Sequence, residues 1–172
     1  MGIDKTFGLA YAKSQIAAGQ KLPLKGNVFI SVRNQDKRDV IFIAKKLADL
    51  GFKLLATKGT AAVLRQNDLE VEMIPKLYEG RPHIVDRIKS SYINLIINTP
   101  AGKATKEDET VIRSQALLYN VPLITTIAGA QATVNGIEAL KKHQISVKSL
   151  QQYHKEINPP LAGQNLKKKT RR

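Results

Sequence analysis

Thr57, Gly59 and Thr60 stand together in Leu54-Leu55-Ala56-Thr57-Lys58-Gly59-Thr60, where an apolar strand hands over to a helix. Two hydroxyls can each donate to an anionic oxygen, and glycine permits close approach of the backbone. The first N–H groups of a helix point outward with the positive end of its dipole, which favours phosphate. A turn with a threonine N-cap accounts for the same residues, so the motif alone leaves both readings open. Asn98-Thr99 occupies the matching position at the end of a second apolar strand, followed by Pro100, Gly102 and Lys103. Lys76 follows a third strand, and Lys37 begins the first long helix. Each lysine could offer a point charge to a phosphate or could be solvated. Thr125 closes a fifth strand in the same way. Open α/β sheets hold ligands beyond the carboxyl ends of their strands, and all of these residues fall there. The joint pattern is a phosphate site.

The elements that must hold these residues alternate. Asn27–Val32, Phe52–Ala56, Leu69–Ile74, Tyr92–Ile97 and Val121–Thr125 read as strands. Between and after them, helices are predicted from Asp36 to Gly51, over Thr60–Gln66, Pro82–Ile88, Lys106–Tyr119 and Ala130–Lys142. Tyr92–Ile97 is almost wholly apolar, as a central parallel strand covered on both faces should be. Strand–helix units with short links predict an α/β fold of three layers, a mainly parallel five-stranded sheet with helices on both faces. Thr6–Ala18 predicts a short amphipathic helix in which Gly8 costs propensity. Lys21 to Gly26 reads as a Pro- and Gly-containing linker, and Val147 to Tyr153 as a last short element. Residues 1–26 are therefore set apart as a leader or linker, 27–157 as the domain, and 158–172 as a basic, disordered tail.

Composition limits what such a domain can do. The 172 residues, 42% hydrophobic, suffice for one packed core. There is no cysteine, hence no disulfide, no thiolate nucleophile and no cysteine metal site. No apolar run approaches the ~20 residues of a membrane span, and Met1-Gly2-Ile3-Asp4-Lys5 lacks signal-peptide order. The expectation is a soluble cytoplasmic protein. The net charge of +14 invites a nucleic-acid reading, but five of those charges belong to Lys167, Lys168, Lys169, Arg171 and Arg172. No aromatic RNA motif, zinc spacing or helix-turn-helix pattern accompanies the charge. A positive field that attracts anionic metabolites explains it without nucleic acid.

The polar turn Glu79-Gly80-Arg81-Pro82-His83 runs on to Asp86 and Arg87. His83 and Asp86 could be written as an acid–base pair, yet no nucleophile stands near them in sequence, and an internal ion pair in a loop serves equally. His143 and His154 lack ligand spacing, so no metal site is expected. Neither a Walker motif nor G-x-G-x-x-G is present.

Thr57-Lys58-Gly59-Thr60, then Lys76-Leu77-Tyr78-Glu79-Gly80-Arg81-Pro82-His83-Ile84-Val85-Asp86-Arg87-Ile88, then Ile96-Ile97-Asn98-Thr99 resemble the carboxyl-terminal allosteric domain of the carbamoyl phosphate synthetase large subunit. The resemblance covers residues 27–150, and residues 1–19 resemble the segment closing the preceding synthetase domain. It implies the methylglyoxal-synthase-like fold and a regulatory role within a larger ATP-dependent ligase of pyrimidine and arginine biosynthesis. It implies no cofactor in this domain, with ATP and Mg or Mn used elsewhere in the parent enzyme. The implied partners are the rest of the large subunit, the glutamine amidotransferase small subunit, and a nucleotide effector such as UMP or IMP. Carried over by position, the effector contacts fall on Lys37, Thr57, Gly59, Thr60, Lys76, Asn98, Thr99 and Lys103. Pro100 replaces a further threonine of some relatives. Thr125 matches part of a second, ornithine-type region, where Leu123 replaces a tyrosine.

Methylglyoxal synthase, a lyase acting on dihydroxyacetone phosphate, shares the implied fold and is the enzymatic alternative. Its catalytic aspartate follows a Gly-Gly pair after the third strand, where this chain has Glu79-Gly80-Arg81-Pro82. Arg81 is permanently cationic and cannot abstract a proton. A basic nucleic-acid module is the second alternative.

Overall fold

Asn27–Ser31 (β1) lies at the centre of the sheet because it pairs with two strands from later in the chain. Lys53–Ala56 (β2) runs parallel on one side, with Val28 opposite Leu54 and Ile30 opposite Ala56. Leu95–Asn98 (β4) runs parallel on the other, with Val28 opposite Leu95 and Ser31 opposite Asn98. Val71–Met73 (β3) extends the sheet beyond β2, and Leu123–Ile124 (β5) beyond β4. The order is β3-β2-β1-β4-β5, all parallel. This computed structural model describes residues 1–75, 77, 79–100 and 106–157. The disorder expected for 158–172 concerns residues outside that set, as do Lys76 and Lys103.

Side-chain alternation along the strands divides the core in two. Val28, Ile30, Leu54, Ala56, Leu95 and Ile97 face one way. They meet Lys37–Asp49 (α2), Lys58–Arg65 (α3) and Ile127–Lys142 (α6). Phe29, Leu55 and Ile96 face the other way, onto Ile84–Lys89 (α4) and Lys106–Leu118 (α5). Three layers result, as the alternation of strand and helix predicts. The five strands exist where expected but are shorter. Leu69 and Glu70 precede β3, and Val121, Pro122 and Thr125 flank a β5 of two residues. Edge strands pair on one side only, so the ladder thins at their ends to single bonds such as Ile96 N–H to Pro122 O and Ile74 N–H to Ala56 O, each 2.9 Å.

Phe7–Ala17 (α1) forms where expected, capped by Thr6, whose hydroxyl accepts the Leu9 N–H at 3.4 Å. Its placement gives Gly8 a purpose that propensity hides. A Cβ on Gly8 would stand 2.6 Å from the Asn135 carbonyl oxygen, so the missing side chain lets α1 lie directly on α6. Gly136 serves the same seam, for a Cβ there would meet Tyr11 and Leu22 at 3.1 Å each. The Tyr11 hydroxyl and Thr133 Oγ1 are 3.0 Å apart across it, with Thr133 fully buried. Leu150–Ile157 (α7) folds back on the chain start. Tyr153 OH donates to the Ile3 carbonyl at 3.0 Å, and Lys13 Nζ donates to Tyr153 OH at 2.9 Å and pairs with Asp4 at 2.7 Å. The hydrogen bond to Lys13 holds the Asp4 carboxyl below its ordinary range, and the same bond raises Lys13. Among the described residues, no helix is long and apolar enough to cross a membrane.

On the α6 side, Glu138 receives Lys142 at 2.7 Å and Lys46 of α2 at 2.5 Å. The hydrogen bond from Lys142, then that from Lys46, lowers its carboxyl to about 2. The folded form therefore binds this proton more weakly than the unfolded chain, and the stability gained is complete above about 4.5. It is lost as the pH falls from there through about 2. Glu138→Gln is expected to flatten the fall in urea-unfolding free energy over that window while lowering stability at neutral pH. Gly8→Ala tests the α1–α6 seam. Helix propensity favours alanine by about 1 kcal/mol, but overpacking costs about 1–3 kcal/mol. With backbone as the obstacle the second effect should win, and the urea midpoint should fall.

Candidate functional site

The sheet order reverses between β1 and β4, the two strands from which the chain winds in opposite directions. A crevice opens at the carboxyl ends of such strands because their connections depart to opposite faces. Here it is a cavity of about 780 Å³. Ser31, Arg33 and Lys37 line it from the β1–α2 connection; Thr57, Gly59 and Thr60 from the β2–α3 connection; Asn98 and Thr99 from the end of β4. Asp108 and Glu109, in the first turn of α5, also line it. Six of the residues marked in the sequence thus meet in one place. Thr125 lies beyond edge strand β5 and does not line the cavity.

Thr57 separates the two readings of its motif. Among the described residues, three threonines stand directly before a helix: Thr6 before α1, Thr57 before α3 and Thr126 before α6. Thr6 and Thr126 cap their helices through the hydroxyl, Thr126 by accepting the Gly129 N–H at 3.0 Å. Thr57 has extended backbone, as an N-cap should, yet its hydroxyl makes no capping bond. It lies 3.5 Å from Ser31 Oγ instead. Helix α3 starts at Lys58, two residues before the predicted start, so Thr60 is its third residue and Thr57 stands just outside. The first turn of α3 contains no acidic residue. Its leading N–H groups and the positive dipole end are therefore left for another acceptor.

Gly59 leaves space for a neighbouring cation. It sits in the first turn of α3, and a Cβ there would stand 3.2 Å from Lys37 Nζ. The ammonium thus rests over the start of α3, where a cation is electrostatically unfavourable unless an anion joins it. Among the described residues Lys37 makes no ion pair.

Thr60 and Thr99 are buried, 1% and 4% exposed. Thr60 Oγ1 accepts the Val32 N–H at 3.3 Å, and Thr99 Oγ1 accepts the next one, Arg33 N–H, at 3.1 Å. A hydroxyl that accepts a backbone N–H keeps its own proton for a second partner. Both are thereby set as donors. Asn98, 8% exposed, ends β4 beside Ser31. Together these groups offer hydrogen-bond donors and positive charge on the β2 side, and carboxylate acceptors on the α5 side.

His83 and Asp86 are elsewhere occupied. His83 caps α4, its Nδ1 accepting the Asp86 N–H at 3.4 Å, while Asp86 Oδ2 accepts the His83 N–H at 3.1 Å. This reciprocal box starts a helix and is not an acid–base pair aimed at a ligand. Sequence reasoning missed Ser31, Arg33, Asn34, Asp108 and Glu109. Ser31 carried a signal, a hydroxyl at a strand end followed by polar residues. The acids of α5 carried none, since carboxylates in a first helical turn are ordinary.

Comparison with known proteins agrees with this architecture. The MGS-like domain family model matches residues 39–125. The carbamoyl phosphate synthase large chain of Archaeoglobus fulgidus is 52% identical over 157 residues, 91% of this chain and 15% of that protein. The large chain of Nostoc sp. is 48% identical over 89% of this chain and 14% of its own length. The carbamoyl phosphate synthase large chain, C-terminal section, of Methanopyrus kandleri is 51% identical over 90% of this chain and 29% of its own length. The chain thus spans between about one seventh and under one third of these relatives. Among solved structures, methylglyoxal synthase from Elizabethkingia anophelis has the same fold, with a TM-score of 0.54 at 15% identity over 74% of this chain and 97% of that one. On this fold and this similarity, the chain belongs to the MGS-like domain family, in the form found in carbamoyl phosphate synthase large chains.

Proposed function

We propose that this chain is the effector-binding regulatory domain of a carbamoyl phosphate synthase large chain, and that a nucleotide such as UMP or IMP occupies the cavity. The observation that carries the reading is the start of α3. There Thr57 leaves its capping bond unmade, and Lys37 brings over Gly59 an ammonium that has no ion-pair partner among the described residues. Both cost stability in the empty protein, and both are repaid by one bound anion. The phosphate accepts from the leading N–H groups of α3, from the hydroxyls of Thr57, Thr60 and Thr99, and from Lys37 and Asn98. Lys76 and Lys103, outside the described residues, complete this set. Asp108 and Glu109 at the start of α5 accept from sugar hydroxyls.

Regulation follows if the bound and empty states pack differently on the rest of the enzyme. In this reading the partners are the remainder of the large subunit and the glutamine amidotransferase small subunit, in the cytoplasm. The domain itself takes no cofactor, and ATP with Mg or Mn acts elsewhere in the synthase. An ornithine-type region around Thr125 is separate from the cavity. The resemblance to methylglyoxal synthase extends to fold. The proton abstraction that enzyme needs would fall to the β3–α4 turn, and Asp86, in the first turn of α4 beyond it, is committed to the capping box with His83.

Calorimetric titration of UMP and IMP into the purified chain tests the proposal, with saturable binding of at least one expected. Lys37→Ala and Thr60→Val each remove a charge-assisted or buried donor contact, worth about 1.5–3 kcal/mol, and should weaken binding about ten- to a hundredfold. Absence of binding to the unaltered chain would sink the reading. A second outcome bears on the alternative: the chain is expected to leave dihydroxyacetone phosphate unconverted, and methylglyoxal in a colorimetric assay would restore the lyase.

A further inference from the structure

Helix α7 is not held by the apolar core. Neither core cluster includes a described residue beyond Leu140. Val147, on the approach to the helix, is 95% exposed, and Leu150, its first residue, 61%. From Ser149 to Glu156 every residue is exposed except Tyr153. The helix starts on its own capping box, with Ser149 N–H donating to Gln152 Oε1 at 2.9 Å and Gln152 N–H to Ser149 Oγ at 3.3 Å. Eight residues are nevertheless too few to stay helical in water without tertiary support. The helix therefore depends on a small number of polar contacts.

Tyr153 OH joins two elements, donating to the Ile3 carbonyl at 3.0 Å and accepting from Lys13 Nζ of α1 at 2.9 Å. Lys13 also donates to the Ile3 carbonyl at 3.3 Å and pairs with Asp4 at 2.7 Å, their side chains 14% and 10% exposed. All three ammonium protons are thus used. The chain start rests directly on α1, for a Cβ on Gly2 would run into the Ala10 carbonyl. Tyr153 reaches that start from α7. Beside it, Glu156 pairs with Lys5 at 3.3 Å and with Lys148 at 2.5 Å. Lys13 and Lys148 stand 5.6 and 5.8 Å from the centre of the Tyr153 ring. Among the described residues, each hydrogen bond or ion pair from α7 to α1 or to the chain start ends on Tyr153 or Glu156. The Lys13–Asp4 pair, by contrast, joins the chain start to α1 with no part of α7. Exposed ion pairs are weak and screened by salt, and an element held by few buried contacts opens while the core stays closed. We propose that α7 is a releasable strap over the chain start, opening as a unit with the sheet intact. The Tyr153 hydroxyl is its catch, and Glu156 makes its hold sensitive to salt. Release leaves Asp4 paired with Lys13 and removes the α7 side from residues 3–5, so the strap sets how firmly the chain start is held. This device is independent of the cavity and of what the cavity binds.

Hydrogen–deuterium exchange of the full chain tests the proposal, with β1 and β4 as internal references. In the unaltered chain, α7 is expected to exchange faster than β1 and β4. Raising NaCl from low concentration to about 1 M should accelerate α7 about two- to fivefold, the range of exposed ion pairs. Tyr153→Phe keeps the ring between the two lysines and removes both hydroxyl bonds. It should accelerate α7 about tenfold or more, the range of a hydrogen bond to a charged group, while β1 and β4 keep their rates. Glu156→Gln should remove most of the salt response. Exchange of α7 at the rate of β1 and β4 would show that it opens only with the whole fold, and would overturn the strap. So would unchanged α7 exchange in Tyr153→Phe, the result for a chain end that frays without a catch. Equal acceleration of α7, β1 and β4 by that variant would mark a general loss of stability and overturn it too. A salt response that is absent, or that survives Glu156→Gln, overturns the role of Glu156.

Discussion

Where β1 leaves the sheet, Val32 and Arg33 carry consecutive backbone N–H groups past the last strand pairing, and buried backbone donors must find acceptors. Thr60, from the helix after β2, takes the first, and Thr99, from the end of β4, takes the second. Two hydroxyls from two different connections thus pin one loop at the point where the sheet reverses direction. The loop they pin carries Arg33, Asp36 and Lys37, so the position of every cation described in the cavity depends on these bonds. Replacing Thr60 by an apolar residue would strand a buried N–H, and replacing Thr99 a half-buried one. In the proposed reading, structure and recognition share these atoms.

Much of this could be read from the chain. The apolar runs and their alternation with helices specify parallel strands, because a sheet covered on both faces tolerates near-continuous Ile, Leu and Val such as Leu95-Ile96-Ile97. Polar residues at strand ends then point to the carboxyl edge. What could not be read is the order of the strands, since it is decided by pairings between residues tens of positions apart. Without it, Ser31 and Asn98 are two unrelated polar residues; with it, they are opposite each other across the switch point. Gly8 illustrates a second limit. Its propensity cost is visible in the sequence, but the Asn135 carbonyl that it accommodates belongs to a helix more than a hundred residues away.

The same limit applies to Thr57. Threonine before a helix predicts a cap, and Thr6 and Thr126 obey. Only the hydrogen-bond geometry shows that Thr57 does not, and its departure carries information because the other two supply the comparison within one chain. Among the described residues the rule holds twice and fails once, and a local rule fails where another demand has prevailed.

Two helix starts at the cavity answer their own dipoles in opposite ways. Helix α5 places Asp108 and Glu109 in its first turn, the stabilising choice at a positive end. Helix α3 has no acid there and receives the Lys37 ammonium. Each such choice shifts stability by roughly 0.3–1 kcal/mol, small against a fold but enough to polarise a cavity of this size. The consequence is a site positive toward β2 and negative toward α5, with hydroxyl donors at the positive pole. A symmetric dianion or a wholly neutral sugar fits such a field poorly. A molecule with phosphate at one end and hydroxyl groups at the other fits it in one orientation only. In the proposed reading, these two helix starts orient the ligand before any base-specific contact is made.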